Sequence, residues 1–154
     1  MARSVRKVAQ QSPQRPRTTR PASGGLAPKQ LAAYFQAKLA AELGPHNVKR
    51  LLDLGEPVVV LDVRSVDGYQ SGHVPGARSI PFERLVDRYR ELPVDQEIVT
   101  YCWDATCFLS TKAAYFLASK GYRVKEMIGG IEAWKAAGFP VEQTSAELVG
   151  VVAS

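Results

Sequence analysis

The segment Val58-Val59-Val60-Leu61 constrains the fold most: four consecutive aliphatic residues held between Pro57 and the polar Asp62. A run this short and this uniformly apolar predicts a strand buried on both faces, as in the interior of a parallel sheet. Similar runs follow at 77–80, 97–101 and 123–128, separated by helical patterns at 82–90 and 110–120. Strands alternating with helices of about ten residues imply βαβ crossovers and an α/β fold with a mainly parallel central sheet.

Upstream, Pro28 suits the first turn of a helix in which Leu31, Phe35, Leu39 and Leu43 recur every fourth residue, with Tyr34 beside them, until Gly44-Pro45 ends it. This stripe is expected to cap one side of the core. A second, short helix is expected from Asn47, capped by its own side chain, to Leu54, with Gly55 as its stop.

With 154 residues, 45% of them hydrophobic, the chain suffices for one core and one domain, expected over 26–154. Residues 1–25 differ in kind. They hold Arg3, Arg6, Lys7, Arg15, Arg17 and Arg20, three prolines and almost no apolar periodicity, and no acidic residue precedes Glu42. Such a stretch reads as a disordered basic arm. A solubilising tail is one role for it and a weak nucleic-acid contact another, the latter disfavoured because no aromatic residues interleave the charges. From Leu26 onward, 14 basic residues face 15 acidic ones, so the net charge of +5 belongs to the arm. No run approaches the length of a membrane span, and the expected location is the cytoplasm.

The chemistry gathers at Cys102. In an open parallel sheet, ligands bind outside the carboxyl ends of strands, where the chain turns into a helix. The strand 97–101 delivers Cys102 to that place, residues 103–109 form the loop, and Ala113, Phe116 and Leu117 mark the buried stripe of the next helix. Backbone N–H groups around such a loop, with the positive end of the helix dipole, are expected to stabilise a thiolate. An inert buried cysteine is the competing reading.

Asp62-Val63-Arg64, Gly72-His73-Val74-Pro75-Gly76-Ala77 with Ile80-Pro81, and Gly129-Gly130 with Trp134 stand in order around this cysteine. Together they resemble the D-x-R, G-H-[IV]-P-G-A…I-P and G-G-x-x-x-W motifs of the rhodanese-like family, with the resemblance centred on residues 51–141. It implies a three-layer α/β/α fold. It also implies sulfurtransfer, in which Cys102 takes sulfane sulfur from a donor, carries it as a persulfide and passes it to a thiophilic acceptor, with no metal or organic cofactor. Asp62 and Arg64 are expected to pair and tie down the loop before Gly72. His73 is expected to fix its turn by hydrogen bonding, Gly129 and Gly130 to permit a tight strand-to-helix turn, and Trp134 to fill core volume.

The loop departs from the commonest family pattern, which has an arginine where this chain has Cys107, and it runs longer. It resembles instead a subgroup of single-domain members with Y-C-W-x-x-x-C, matched by Tyr101, Cys102, Trp103, Asp104, Ala105, Thr106 and Cys107 and followed by Phe108, Leu109 and Ser110. Without the guanidinium, and with Asp104 close by, thiosulfate is a poor fit. A low-molecular-weight or protein persulfide donor and a thiol acceptor are expected instead. The longer loop is similar to that of cell-cycle dual-specificity phosphatases, but no cation lies between Cys102 and Lys112 to bind phosphate.

Several roles remain open on the residues alone. Cys107 is either a resolving thiol that attacks the Cys102 persulfide or a small hydrophobe packing the loop. Trp103 is expected to wall the loop. Lys112 either reaches substrate or is simply solvated. Zinc is a poor fit for two cysteines with the distant His46 and His73. A non-catalytic interaction or sulfur/redox-sensing module is the alternative function. Residues 142–154 are apolar at Leu148-Val149 and Val151-Val152 without a clear period.

Overall fold

Strands β2 (Val58–Asp62) and β4 (Glu97–Tyr101) run side by side at the centre of a five-stranded, all-parallel sheet. The computed structural model describes residues 25–144. The sheet order is β1-β5-β4-β2-β3, with β1 at Glu42–Leu43, β3 at Arg78–Ser79 and β5 at Val124–Met127. The register places Leu61 beside Thr100 and Asp62 beside Tyr101, so the carboxyl ends of the two central strands finish level. The helices are α1 (Pro28–Ala41), α2 (Pro45–Asp53), α3 (Val66–Ser71), α4 (Phe82–Arg88, continued by a 3-10 turn at Tyr89–Glu91), α5 (Leu109–Ser119) and α6 (Gly130–Ala136).

Side-chain alternation along the central strands divides the core in two. Leu61 and Ile98 join Leu85 of α4 and Ala113 and Leu117 of α5 on one face. Val60, Val99, Tyr101 and Met127 join Val48 of α2 and Ile131 and Trp134 of α6 on the other. Both faces being covered explains why β2 is aliphatic from Val58 to Leu61 and gives the three-layer arrangement expected from the resemblance. Trp134 is fully buried and its indole N–H donates to the Pro140 carbonyl at 2.8 Å.

Two expectations upstream need correction. Helix α1 forms from Pro28 as anticipated, but its stripe does not cap the core: no α1 residue is buried, and Phe35 is 55% and Leu39 83% exposed. The sheet faces are already occupied by other helices, and α1 is left at the β1–β5 edge. Helix α2 begins one turn earlier than expected, with Pro45 in its first turn; Asn47 is not its cap but reaches back to accept the Gly44 N–H at 3.2 Å. The basic arm expected at 1–25 lies outside the described residues apart from Gly25, as do residues 145–154. Of the tail, Glu142 exchanges two backbone hydrogen bonds with His73 at 2.9 Å, which ties the end of the described chain to the turn at 72–77. Among the described residues, no helix is long and apolar enough to cross a membrane.

Candidate active site

Cys102 stands one residue beyond β4, and its backbone is held from α6. The amide N–H of Ile131 donates to the Cys102 carbonyl at 2.9 Å and that of Glu132 to the Trp103 carbonyl at 3.0 Å. The approach is close enough that a Cβ on Gly130 would lie 2.5 Å from the Cys102 oxygen, and Gly129 and Gly130 both have positive φ (78° and 57°). The glycine pair therefore lets an α6 amide reach the start of the loop, a role more specific than turning the chain.

Beneath the loop the motif residues form one buried network. The Arg64 guanidinium donates to both Asp62 oxygens, at 3.0 Å from Nε to Oδ1 and 2.6 Å from Nη2 to Oδ2, and Nη2 also donates to the Gly72 carbonyl at 2.7 Å. The Tyr101 hydroxyl donates to Asp62 Oδ2 at 2.6 Å and accepts the Val74 N–H at 3.1 Å. Burial beside Asp62 pushes the Tyr101 hydroxyl pKa up, keeping it a donor. His73 stacks on Tyr69 with ring centroids 3.7 Å apart, and its Nδ1 lies 2.8 Å from the Tyr69 carbonyl. Its ring is thus occupied in the turn. Among the described residues, every buried side-chain nitrogen and oxygen has a partner.

Trp103 turns away from the cysteines. Its ring covers the Arg64 guanidinium at 4.7 Å and packs on Gly68, where a Cβ would stand 2.7 Å from the indole. Asp104 shapes the loop: its Oδ1 accepts the Thr106 N–H at 2.7 Å and the Thr106 hydroxyl at 2.6 Å, and these bonds lower its pKa. Ala105 and Phe108 are exposed, Leu109 packs against the core, and Lys112 points to solvent from the first turn of α5.

The expected amide cradle around Cys102 is not what the loop forms. Cys102 is 1% exposed, and its thiol donates to the Cys107 carbonyl at 3.1 Å. Burial, reinforced by Cys107, pushes the Cys102 pKa up, against a smaller opposing effect of Ser110. At Cys107 burial opposes ionisation, but hydrogen bonds from Cys102 and from the backbone N–H groups of Leu109 and Trp103 outweigh it and bring the pKa down. The Leu109 and Trp103 amides thus serve the second cysteine, which also faces solvent more than the first, and the Ser110 amide alone serves Cys102.

Cys107 lines a cavity of about 320 Å³ together with Asp104, Phe108, Ser110, Thr111 and Glu126. Glu126 is the residue that sequence reasoning missed. Its Oε1 accepts from Ser110 Oγ at 2.6 Å and from Thr111 Oγ1 at 2.9 Å, and Ser110 Oγ lies 3.2 Å from Cys102 Sγ. A carboxylate near the carboxyl end of a parallel strand was the signal that could have found it. Lys38 and Glu42 also line the cavity and are paired with each other. Among the described residues, no group of three or more His, Cys, Asp and Glu side chains is placed to hold a metal ion.

Residues 44–137 match the family model described as the rhodanese-like domain. The chain is similar to the HTH-type transcriptional regulator Rv0324 of Mycobacterium tuberculosis, 40% identical over 61% of this chain but only 41% of that protein's length. It is 35% identical to the thiosulfate sulfurtransferase GlpE of Pseudoalteromonas translucida over 53% of this chain and 77% of that one. Among solved structures, the BH2092 protein of Bacillus halodurans superposes with a TM-score of 0.70 at 37% identity, covering 77% of this chain and 88% of that chain.

Proposed function

Because the chain belongs to the rhodanese-like domain family, which includes sulfurtransferases, we propose that it carries sulfane sulfur as a persulfide on Cys102 and passes it to a thiophilic acceptor. The observation that carries this reading is the placement of Cys102 at the carboxyl end of β4, its backbone gripped by α6 and its sulfur between Cys107 and Ser110. In the transfer, the Cys102 thiolate attacks the outer sulfur of a persulfide donor, R–S–SH; the new S–S bond forms as the old one breaks, and RS⁻ leaves with the electron pair.

The cavity favours such a donor over thiosulfate. Three of its four charged residues are the carboxylates Glu42, Asp104 and Glu126, and its one cation, Lys38, is committed to Glu42. Coulomb repulsion in this rim disfavours a dianion. In the same reading Cys107, whose carbonyl accepts from the Cys102 thiol, attacks the Cys102 persulfide and releases hydrosulfide as a disulfide closes. The cytoplasm is the proposed setting, where thiols stay reduced.

A non-catalytic sulfur- or redox-sensing module is the second reading, favoured by the sealing of Cys102 at 1% exposure. Intact-protein mass spectrometry after incubation with glutathione persulfide, and separately with thiosulfate, distinguishes the two. A cyanide-labile gain of one sulfur that is absent in Cys102→Ser, followed by turnover with a thiol acceptor, supports the sulfurtransferase. Sulfur uptake without turnover supports the sensor, and no adduct with either donor on folded, reduced protein overturns both.

A further inference from the structure

Cys102, Ser110 and Glu126 form one hydrogen-bonded chain from the buried sulfur to the cavity. Sγ lies 3.2 Å from Ser110 Oγ, which lies 2.6 Å from Glu126 Oε1. A hydroxyl has a single hydrogen to give, and an ionised carboxylate only accepts. Ser110 therefore donates to Glu126 and turns a lone pair toward Cys102. The other partner of Sγ, the Cys107 carbonyl at 3.1 Å, is also an acceptor. With the serine hydroxyl turned this way the sulfur keeps its proton, as burial also favours; the Ser110 backbone N–H, and its hydroxyl when turned to Sγ, act in the opposite direction.

One rearrangement reverses this. With a proton on Glu126, its O–H donates to Ser110 Oγ, and the serine hydrogen is free to turn to Sγ. Thiol with carboxylate and thiolate with carboxylic acid are then two proton arrangements of one chain, with the same total charge. We propose that Glu126, acting through the Ser110 hydroxyl, receives the Cys102 proton and so controls when this buried thiol becomes a nucleophile. During sulfur transfer the proton held on Glu126, which lines the cavity, passes to the departing RS⁻, giving RSH and Cys102–S–SH with no external oxidant, reductant or net proton change. Ser110 touches the reacting sulfur and relays the proton; Glu126 acts on Cys102 through it and meets the substrate only in returning the proton to RS⁻.

The charged and titratable groups that face Glu126 are Lys38 of α1, Glu42 paired alongside it on β1, Asp104 and Cys107 of the loop, and its neighbour Lys125, bridged to Glu97 at 3.4 Å. Of these, Cys107 alone also meets Sγ, through its carbonyl and its thiol. The inference deepens the sulfur-carrier reading and rests on it for its use in turnover, but proton transfer from Cys102 is measurable with any thiol-directed reagent.

The test follows alkylation of Cys102 by iodoacetamide, site-resolved by peptide mapping, across pH in the wild type, Glu126→Gln, Ser110→Ala and the double variant, each checked for cooperative thermal unfolding. In the wild type the rate should show a shoulder on the acid side of the thiol's own titration. Glu126→Gln should lose the shoulder, slow alkylation there by on the order of a hundredfold, and climb about tenfold per pH unit. The double variant should be no slower than Ser110→Ala, because both cut one chain. If Glu126→Gln does not fold, Ser110→Ala alone must show the lost shoulder. A Glu126→Gln protein that reacts faster, as expected if the carboxylate merely repels a thiolate, overturns the proposal, and so does an unchanged pH profile. Absence of persulfide formation with these alkylation results intact would instead count against the sulfur-carrier reading.

Discussion

Gly130 lies flush against the carbonyl of Cys102: a Cβ there would stand 2.5 Å from that oxygen, and the next amide, of Ile131, donates to it at 2.9 Å. The contact is backbone to backbone, so no side chain can swing aside to relieve it. At φ +57°, an alanine is also strained by its own conformation. Gly130→Ala should therefore cost about 1–3 kcal/mol of stability, read by urea denaturation. Because the α6 grip fixes Cys102, any sulfur uptake should fall more steeply than stability does. A variant as stable and as active as the wild type would show that α6 does not position the loop.

Asp62 and Arg64 are both 1% exposed or less. Replacing Arg64 by methionine leaves the Asp62 carboxylate and the Gly72 carbonyl without their strongest donor, and removing one member of a buried pair costs about 3–5 kcal/mol. Arg64→Lys should rescue only part of it. A lysine is a point donor and cannot span Asp62 Oδ1, Oδ2 and the Gly72 oxygen together, nor present a flat face to Trp103. Denaturation midpoints check the order wild type, then Lys, then Met.

Gly68 and Trp103 offer an optical test. A methyl group at residue 68 would meet the indole at 2.7 Å, but here the obstacle is a side chain that can rotate. Gly68→Ala should displace Trp103 from the Arg64 guanidinium at a modest cost of about 1 kcal/mol. The other tryptophan, Trp134, is fully buried, so a red shift and increased quenching of fluorescence would report Trp103 alone. Unchanged emission would mean that the loop start tolerates the methyl group without moving.

Strand β2 was readable because burial on both faces writes a continuous apolar code at 58–61, and β4 falls on the expected 97–101. Helix α3 was not anticipated: at six residues, with Gly68 inside it, it leaves too short a pattern, and only Ser65 marks its start by accepting the Gly68 N–H. The α1 stripe was visible in sequence, but periodicity reports an apolar face and not what covers it. At the site, the position of Cys102 followed from strand-end topology. Its ionisation did not, because whether a loop turns N–H groups or carbonyls toward a sulfur depends on peptide orientations that residue types do not encode. Glu126 escaped notice for a related reason: its partners, Ser110 and Thr111, are distant in sequence and meet it only across the β5–α5 contact.

The opposite displacements of the two thiol pKa values give the last prediction. Cys107, brought down by hydrogen bonds, should be alkylated by iodoacetamide before Cys102, which burial holds protonated. In Cys107→Ser, Cys102 is the remaining thiol, and its stability linkage has a definite sign. The folded state retains a proton that the unfolded chain, with an ordinary thiol near about 8.5, gives up first. Its contribution is therefore complete below that value and is lost as pH rises through the folded Cys102 pKa, at no more than about 1.4 kcal/mol per pH unit. Urea denaturation of Cys107→Ser between neutral and alkaline pH should show this decline, and Cys102→Ser in the same background should lack it. If both proteins weaken in parallel, Cys102 is not held protonated by the fold.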